Sequence, residues 1–136
     1  MLTNRLTHLA VAAAVMMSCG EALAHHSSAE YDRTKSITLQ GTVTEFRYAN
    51  PHPQLYFDVK DSNGAVAHWA AEIGPNPTRL NSIGWDKKRS DEALAPGATI
   101  TITVAPSKLS PRIGVAKKIL DARGEQILDL EGAPTN

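Results

Sequence analysis

The sequence predicts an all-β domain, a small five- to six-stranded antiparallel barrel of the OB type with one short helix between the third and fourth strands. Three observations predict it. From Lys35 onward the chain alternates apolar and polar residues in short runs separated by turn residues. The first run is long and is interrupted by Gly41, where a sharp bend is expected. The stretch between the third and fourth runs carries the punctuation of a short helix. An open β-sandwich of similar size is the rival, although about six strands are too few for most immunoglobulin-like sandwiches.

The chain opens on a leader. One positive charge, Arg5, precedes the unbroken apolar run of residues 9–17, which is too short to cross a hydrocarbon core of ~30 Å. Ala22 and Ala24 are small residues at the positions a signal peptidase reads. Residues 1–24 are therefore expected to be a secretory signal cut after Ala24, giving a periplasmic or secreted protein with no stable membrane insertion after cleavage. The alternative is a lipoprotein acylated on Cys19, for which Met16-Met17-Ser18 is a poor lead-in. Cleavage after Ala24 removes the one cysteine and one of the five histidines, and it makes His25 the new amino terminus, followed by His26.

Residues 25–34 have neither a helical nor a strand period and are expected to form a flexible segment; residues 35–136 form the barrel. In the first strand Ile37, Leu39, Gly41 and Val43 share one face, and a shift of phase then brings in Phe46 and Tyr48. Asn50-Pro51-His52-Pro53 is a turn. Leu55, Phe57 and Val59 alternate with Gln54, Tyr56 and Asp58 in the second strand, and residues 65–73 return as the third.

Turn chemistry fixes the register of this hairpin. A two-residue Asn63-Gly64 loop puts Phe57 on the same face as His68. A three-residue loop with Gly64 in the left-handed bulge position pairs Asp61 with Ala65 instead. A slip of one residue reverses every side chain, so the apolar face decides. The three-residue loop gathers Leu55, Phe57, Val59, Ala67, Trp69, Ala71 and Ile73 on one side, and it leaves His52, Gln54, Asp58, His68 and Glu72 on the other.

Beyond Pro75, residues 77–83 are expected to form the short helix, turning Leu80 and Ile83 inward and ending at Gly84. Trp85 begins an irregular charged loop that runs to Ala95 and contains Lys87-Lys88-Arg89. Residues 99–104, 115–121 and 126–130 are the remaining strands, the last two joined by a turn over residues 122–125.

Composition limits the function. The 136 residues carry 14 basic and 14 acidic side chains, a balance that excludes a dedicated nucleic-acid binder, and aromatics at 5% are thin for stacking on bases. A single cysteine excludes a disulfide framework and a multi-thiolate zinc site. Nucleophile elbows, phosphate loops and dinucleotide fingerprints are all absent, so no catalytic residue is named and no enzyme is expected.

The histidines are the unusual chemistry. A free amine on His25, with an ordinary pKa of ~7.7–8.0, and its own imidazole can chelate one metal ion. The His26 imidazole adds a third nitrogen, a set suited to copper(II) first and to nickel(II) or zinc(II) after it. His52 is held rigidly between two prolines and is a diagonal neighbour of Glu72, which would serve as ligand or as the residue orienting the ring. The bland readings are a polar tail at His25 and His26, and a turn histidine bonded to backbone at His52. His68 is ~13 Å from Glu72 at strand rise and faces Asp58, which makes it half of an exposed ion pair. From Lys35 an extended tail reaches about 30 Å, enough to bring His26 to His52. Trp69 and Trp85 read as core and core-edge residues.

These residues together resemble a known family. His25-His26-Ser27, Asp32, Gly41-Thr42-Val43, Asn50-Pro51-His52, Trp69 with Glu72, Leu80, Gly84-Trp85 and Pro96-Gly97 are similar to the pattern of DUF6152, small secreted bacterial proteins of unknown function. The resemblance covers nearly all of the chain after the leader. It implies a small exported β-barrel protein and no activity. The chain departs from the pattern at residues 90–95, which are longer and less basic. The expected function is thus divalent-metal binding through His25, His26, His52 and Glu72. The alternative is a metal-independent module that binds a peptide, glycan or partner protein on its barrel face.

Overall fold

The computed structural model describes residues 28–131. Six strands form one sheet: β1 (Ile37–Arg47), β2 (Gln54–Lys60), β3 (Val66–Glu72), β4 (Thr99–Pro106), β5 (Ile113–Leu120) and β6 (Gln126–Asp129). Their order is β3-β2-β1-β4-β5-β6, and a parallel pairing of β3 with β5 closes the first five into a barrel with β6 outside it. The closing seam is short, joining Ala70 to Ile113, Ala71 to Gly114 and Glu72 to Val115. Closure removes the open sandwich from consideration.

The long first strand serves two neighbours because it bends. Its first half pairs with β4 up to Thr42↔Thr99, and its second half pairs with β2 from Thr42↔Asp58 onward. Gly41 lies where the strands crowd: a Cβ there would stand 2.7 Å from the Asp58 carbonyl oxygen and 2.9 Å from Phe57 Cδ2. A bulge between Val43 and Glu45 then shifts the phase, so Thr44 and Glu45 are both exposed and Phe46 turns back toward the core. This is the phase change that the sequence carries after Val43.

The β2–β3 hairpin takes the three-residue loop. Asp61 N–H donates to Ala65 O at 3.0 Å, Gly64 has φ +82°, and Phe57 stands opposite Trp69 with Asp58 opposite His68. Leu55, Phe57, Ala71 and Ile73 are consequently buried, together with Val43, Ile100, Ile102, Val104 and Ile119 from the other strands.

Two helices, not one, cross from β3 to β4. The first, α1 (Pro77–Ser82), begins at the Asn76 cap, which accepts from Arg79 N–H at 2.9 Å. Leu80 is buried as expected, but Ile83 is 42% exposed, because the helix has already ended at Ser82 and Ile83 leaves its apolar stripe. The expected irregular loop contains the second helix, α2 (Lys87–Ala93). Asp86 caps it by accepting from Arg89 N–H at 2.8 Å, the Arg89 guanidinium lies 4.3 Å over the Trp85 ring, and Lys87 pairs with Asp91 one turn on. Ser90 and Leu94 face inward.

The described part of the expected flexible segment is docked. Tyr31 bridges to Ser107 and packs with Ala105 and Val115 in a small second core, 4% exposed. Asp32 N–H donates to Pro106 O, Lys108 N–H to Glu30 O, and Ser107 Oγ lies 3.0 Å from Glu30 Oε1. The chain thereby enters the barrel alongside the β4–β5 connection. Among the described residues no helix is long and apolar enough to cross a membrane.

Candidate functional site

The β1–β2 turn, the end of β3 and the docked amino-terminal segment meet at one corner of the barrel. The turn is shaped by a cis Asn50–Pro51 bond and by Pro53, which is fully buried and whose carbonyl accepts from Ile73 N–H at 2.9 Å. His52 is held between these two fixed points. Gln54 stands opposite Glu72, so His52 reaches Glu72 diagonally, as the alternation along the hairpin predicts.

Glu72 is the hub of the corner. Its Oε1 lies 3.9 Å from His52 Nε2, and its Oε2 accepts from the Tyr31 hydroxyl at 3.2 Å. The first separation is too long for a hydrogen bond. Two adjacent ligands on one metal ion stand roughly 2.8 Å apart in planar and 3.3 Å apart in tetrahedral geometry, given metal–nitrogen and metal–oxygen bonds near 2 Å. A small rotation of either side chain closes that gap. Neither ring nitrogen of His52 is committed: Nε2 faces the carboxylate without bonding it, and Nδ1 is buried with no hydrogen-bond partner among the described residues. The backbone-bonded turn histidine of the bland reading is not what this ring does. Burying an unsatisfied nitrogen costs about 1–3 kcal/mol, so the ring is poised for a partner.

Tyr31 is the residue that sequence reasoning missed. Burial, and then the neighbouring Glu72 charge, push its phenol far above the ordinary value, so it stays a protonated donor to the carboxylate. One signal pointed to it: Tyr31 is the single Phe, Trp or Tyr residue in the polar run of residues 25–34. Glu30 beside it is 7% exposed, also unforeseen.

Of the four residues singled out as ligands, the structure brings His52 and Glu72 together. His25 and His26, like the cleavage site at Ala24 and Cys19, lie outside the described residues. Among the described residues no group of three or more histidine, cysteine, aspartate or glutamate side chains could hold a metal ion. Within the described residues His52 and Glu72 therefore stand as a pair, a candidate half site of two donors. His68 is not part of it: its Nδ1 lies 2.6 Å from Asp58 Oδ1, an exposed pair as expected. Trp85 is buried and Trp69 half-buried, stacked at 6.4 Å on Phe57.

The sequence model of DUF6152, described as a family of unknown function, matches residues 12–116. No curated protein and no solved structure is significantly similar to the chain.

Proposed function

The chain belongs to DUF6152, a family of unknown function, and we propose that it is an exported protein that binds copper(II), with zinc the alternative ion. The proposed ligands are the His25 amine and imidazole, the His26 imidazole and one ring nitrogen of His52, with Glu72 as a further ligand or as the group that orients His52. Cleavage after Ala24 frees the amine, so the site is complete only in the processed chain.

One observation carries this reading: the residue that fastens the amino-terminal segment and the candidate ligand His52 approach the same carboxylate. From Tyr31 back to His26 is five residues; Ser28–Glu30 forms a single 3-10 turn, so the reach is about 13 Å, at ~2 Å per residue through the turn and ~3.3 Å beyond it. The tail is therefore tethered beside the half site rather than at Lys35, and tethering raises the effective concentration of its nitrogens there. Copper(II) heads the affinity order for such nitrogen donors.

The test is a copper titration of four proteins. The chain beginning at His25 should bind at least tenfold more tightly than a chain with one added glycine before His25. His52→Ala should also weaken binding about tenfold, and His68→Ala should leave it unchanged. Equal affinity of the first two proteins removes the terminal chelate, and an unaltered His52→Ala protein removes the half site.

A further inference from the structure

At the other end of the closing seam β3 has an open edge. On that side β3 is paired only at Ala70, Ala71 and Glu72 among the described residues, which leaves Val66 to Trp69 without a neighbour there. Ala70 N–H points across the seam to Arg112 O at 3.0 Å. Strand backbone groups alternate in direction with period two, so the N–H and C=O groups of His68 and Val66 aim at the same vacant side. Such an edge is a template for an added strand.

The surroundings select the occupant. A concavity of about 490 Å³ runs along this edge between His68, Trp69, Ala70, Pro111, Arg112 and Ile113. Arg112, at φ +59°, turns the chain away just before β5 begins, so β5 does not extend down beside Val66 to Trp69. Its guanidinium is exposed and makes no ion pair among the described residues, and the same holds for Lys60 opposite Val66. The nearby carboxylates are already engaged, Asp58 by the His68 ring, Glu45 by Arg47, and Asp61 by the backbone N–H groups of Asn63 and Ala65. Among the described residues the charged side chains left without a partner at the edge, Arg112 and Lys60, are both cationic. Each nearby aromatic ring already has a partner on one face, Tyr56 the Arg47 guanidinium at 4.9 Å and Trp69 the Phe57 ring.

We propose that the edge of β3 from Val66 to Trp69 receives an extended acidic segment of a partner protein as an added strand, held by backbone hydrogen bonds to Val66 and His68 and by Arg112 and Lys60. This is independent of the copper reading and uses none of its ligands.

The probe is a capped hexapeptide of alternating valine and glutamate, titrated into the metal-free protein while amide shifts are followed by NMR. The expected result is saturable binding with the largest shifts at the Val66 and His68 amides. The valine–lysine analogue should bind at least tenfold more weakly, and Arg112→Glu should reverse that preference. An analogue N-methylated on alternate amides leaves the protein untouched and should not bind. Absence of saturation up to millimolar peptide, equal binding of the N-methylated analogue, or shifts confined to another face would overturn the proposal. So would sedimentation of the free protein as a dimer with the His68 amide protected, since a second copy would then hold the edge.

Discussion

Tyr31 joins the fold to the candidate site, and two substitutions separate its contributions. Tyr31→Phe keeps the ring in the small core of Ala105 and Val115 and removes the hydroxyl that donates to Glu72 at 3.2 Å. A hydrogen bond to a charged group contributes about 1.5–3 kcal/mol, and the carboxylate left without its donor is 12% exposed. For a domain of this size ~5 °C of melting temperature accompanies each kcal/mol, so a drop of roughly 8–15 °C is expected. Tyr31→Ala removes the ring as well, at about 3–5 kcal/mol, and unfastens the segment that leads to His26. The assay is thermal and urea denaturation paired with a copper titration. Stability should fall in the order wild type, Phe, Ala, whereas copper affinity should fall steeply only in Tyr31→Ala, where the tether is lost. A Tyr31→Ala protein that is destabilised yet binds copper as tightly as the wild type would refute the reasoning, because tail and half site would then not depend on a common anchor.

Two further outcomes follow from the barrel itself. Gly41→Ala places a methyl 2.7 Å from the Asp58 carbonyl and 2.9 Å from the Phe57 ring, so it should destabilise by about 1–3 kcal/mol in urea, as overpacking does. Tyr48 has its hydroxyl within 3.2 Å of Pro77 O, Asn81 Oδ1 and Trp85 O, and burial, then the Asp86 charge, raise it above its ordinary value of 10.0. The folded state thus holds this proton more tightly than the unfolded chain. Its contribution is complete below pH 10 and is lost as pH rises above it; Tyr48→Phe should flatten that decline in denaturation curves recorded as pH is raised from 10 upward.

What could be read from the sequence follows from the range of the forces involved. The register of the β2–β3 hairpin was legible because it is local: Asp61 and Gly64 choose the turn, and the apolar face of Leu55, Phe57 and Ala71 rejects the other phase. The bend at Gly41 and the phase shift after Val43 were legible for the same reason. Helix α2 was not, since Lys87–Ala93 carries almost no apolar period. Its order comes from the Asp86 cap, the stacking of Arg89 on Trp85 and the burial of Leu94. Of the site, the His52–Glu72 diagonal came from hairpin pairing. Tyr31 did not, because its partner is 41 residues away and arrives only after the barrel closes.

That dependence on closure explains why both proposed sites lie along β3. The barrel is sealed there by three residue pairs, whereas β1 pairs with β4 over six. A seam so short leaves most of β3 without a second neighbour, and the two ends meet this deficit differently. Near Glu72 the amino-terminal segment packs beside the seam, placing Tyr31 against Val115 and its hydroxyl on the Glu72 carboxylate. Near His68 no segment arrives among the described residues, so outward backbone groups and the Arg112 guanidinium stay open to solvent. The geometry that makes β3 the weakest-paired strand of the barrel is therefore also what gives its one end a tethered tail and its other end an edge able to accept a strand.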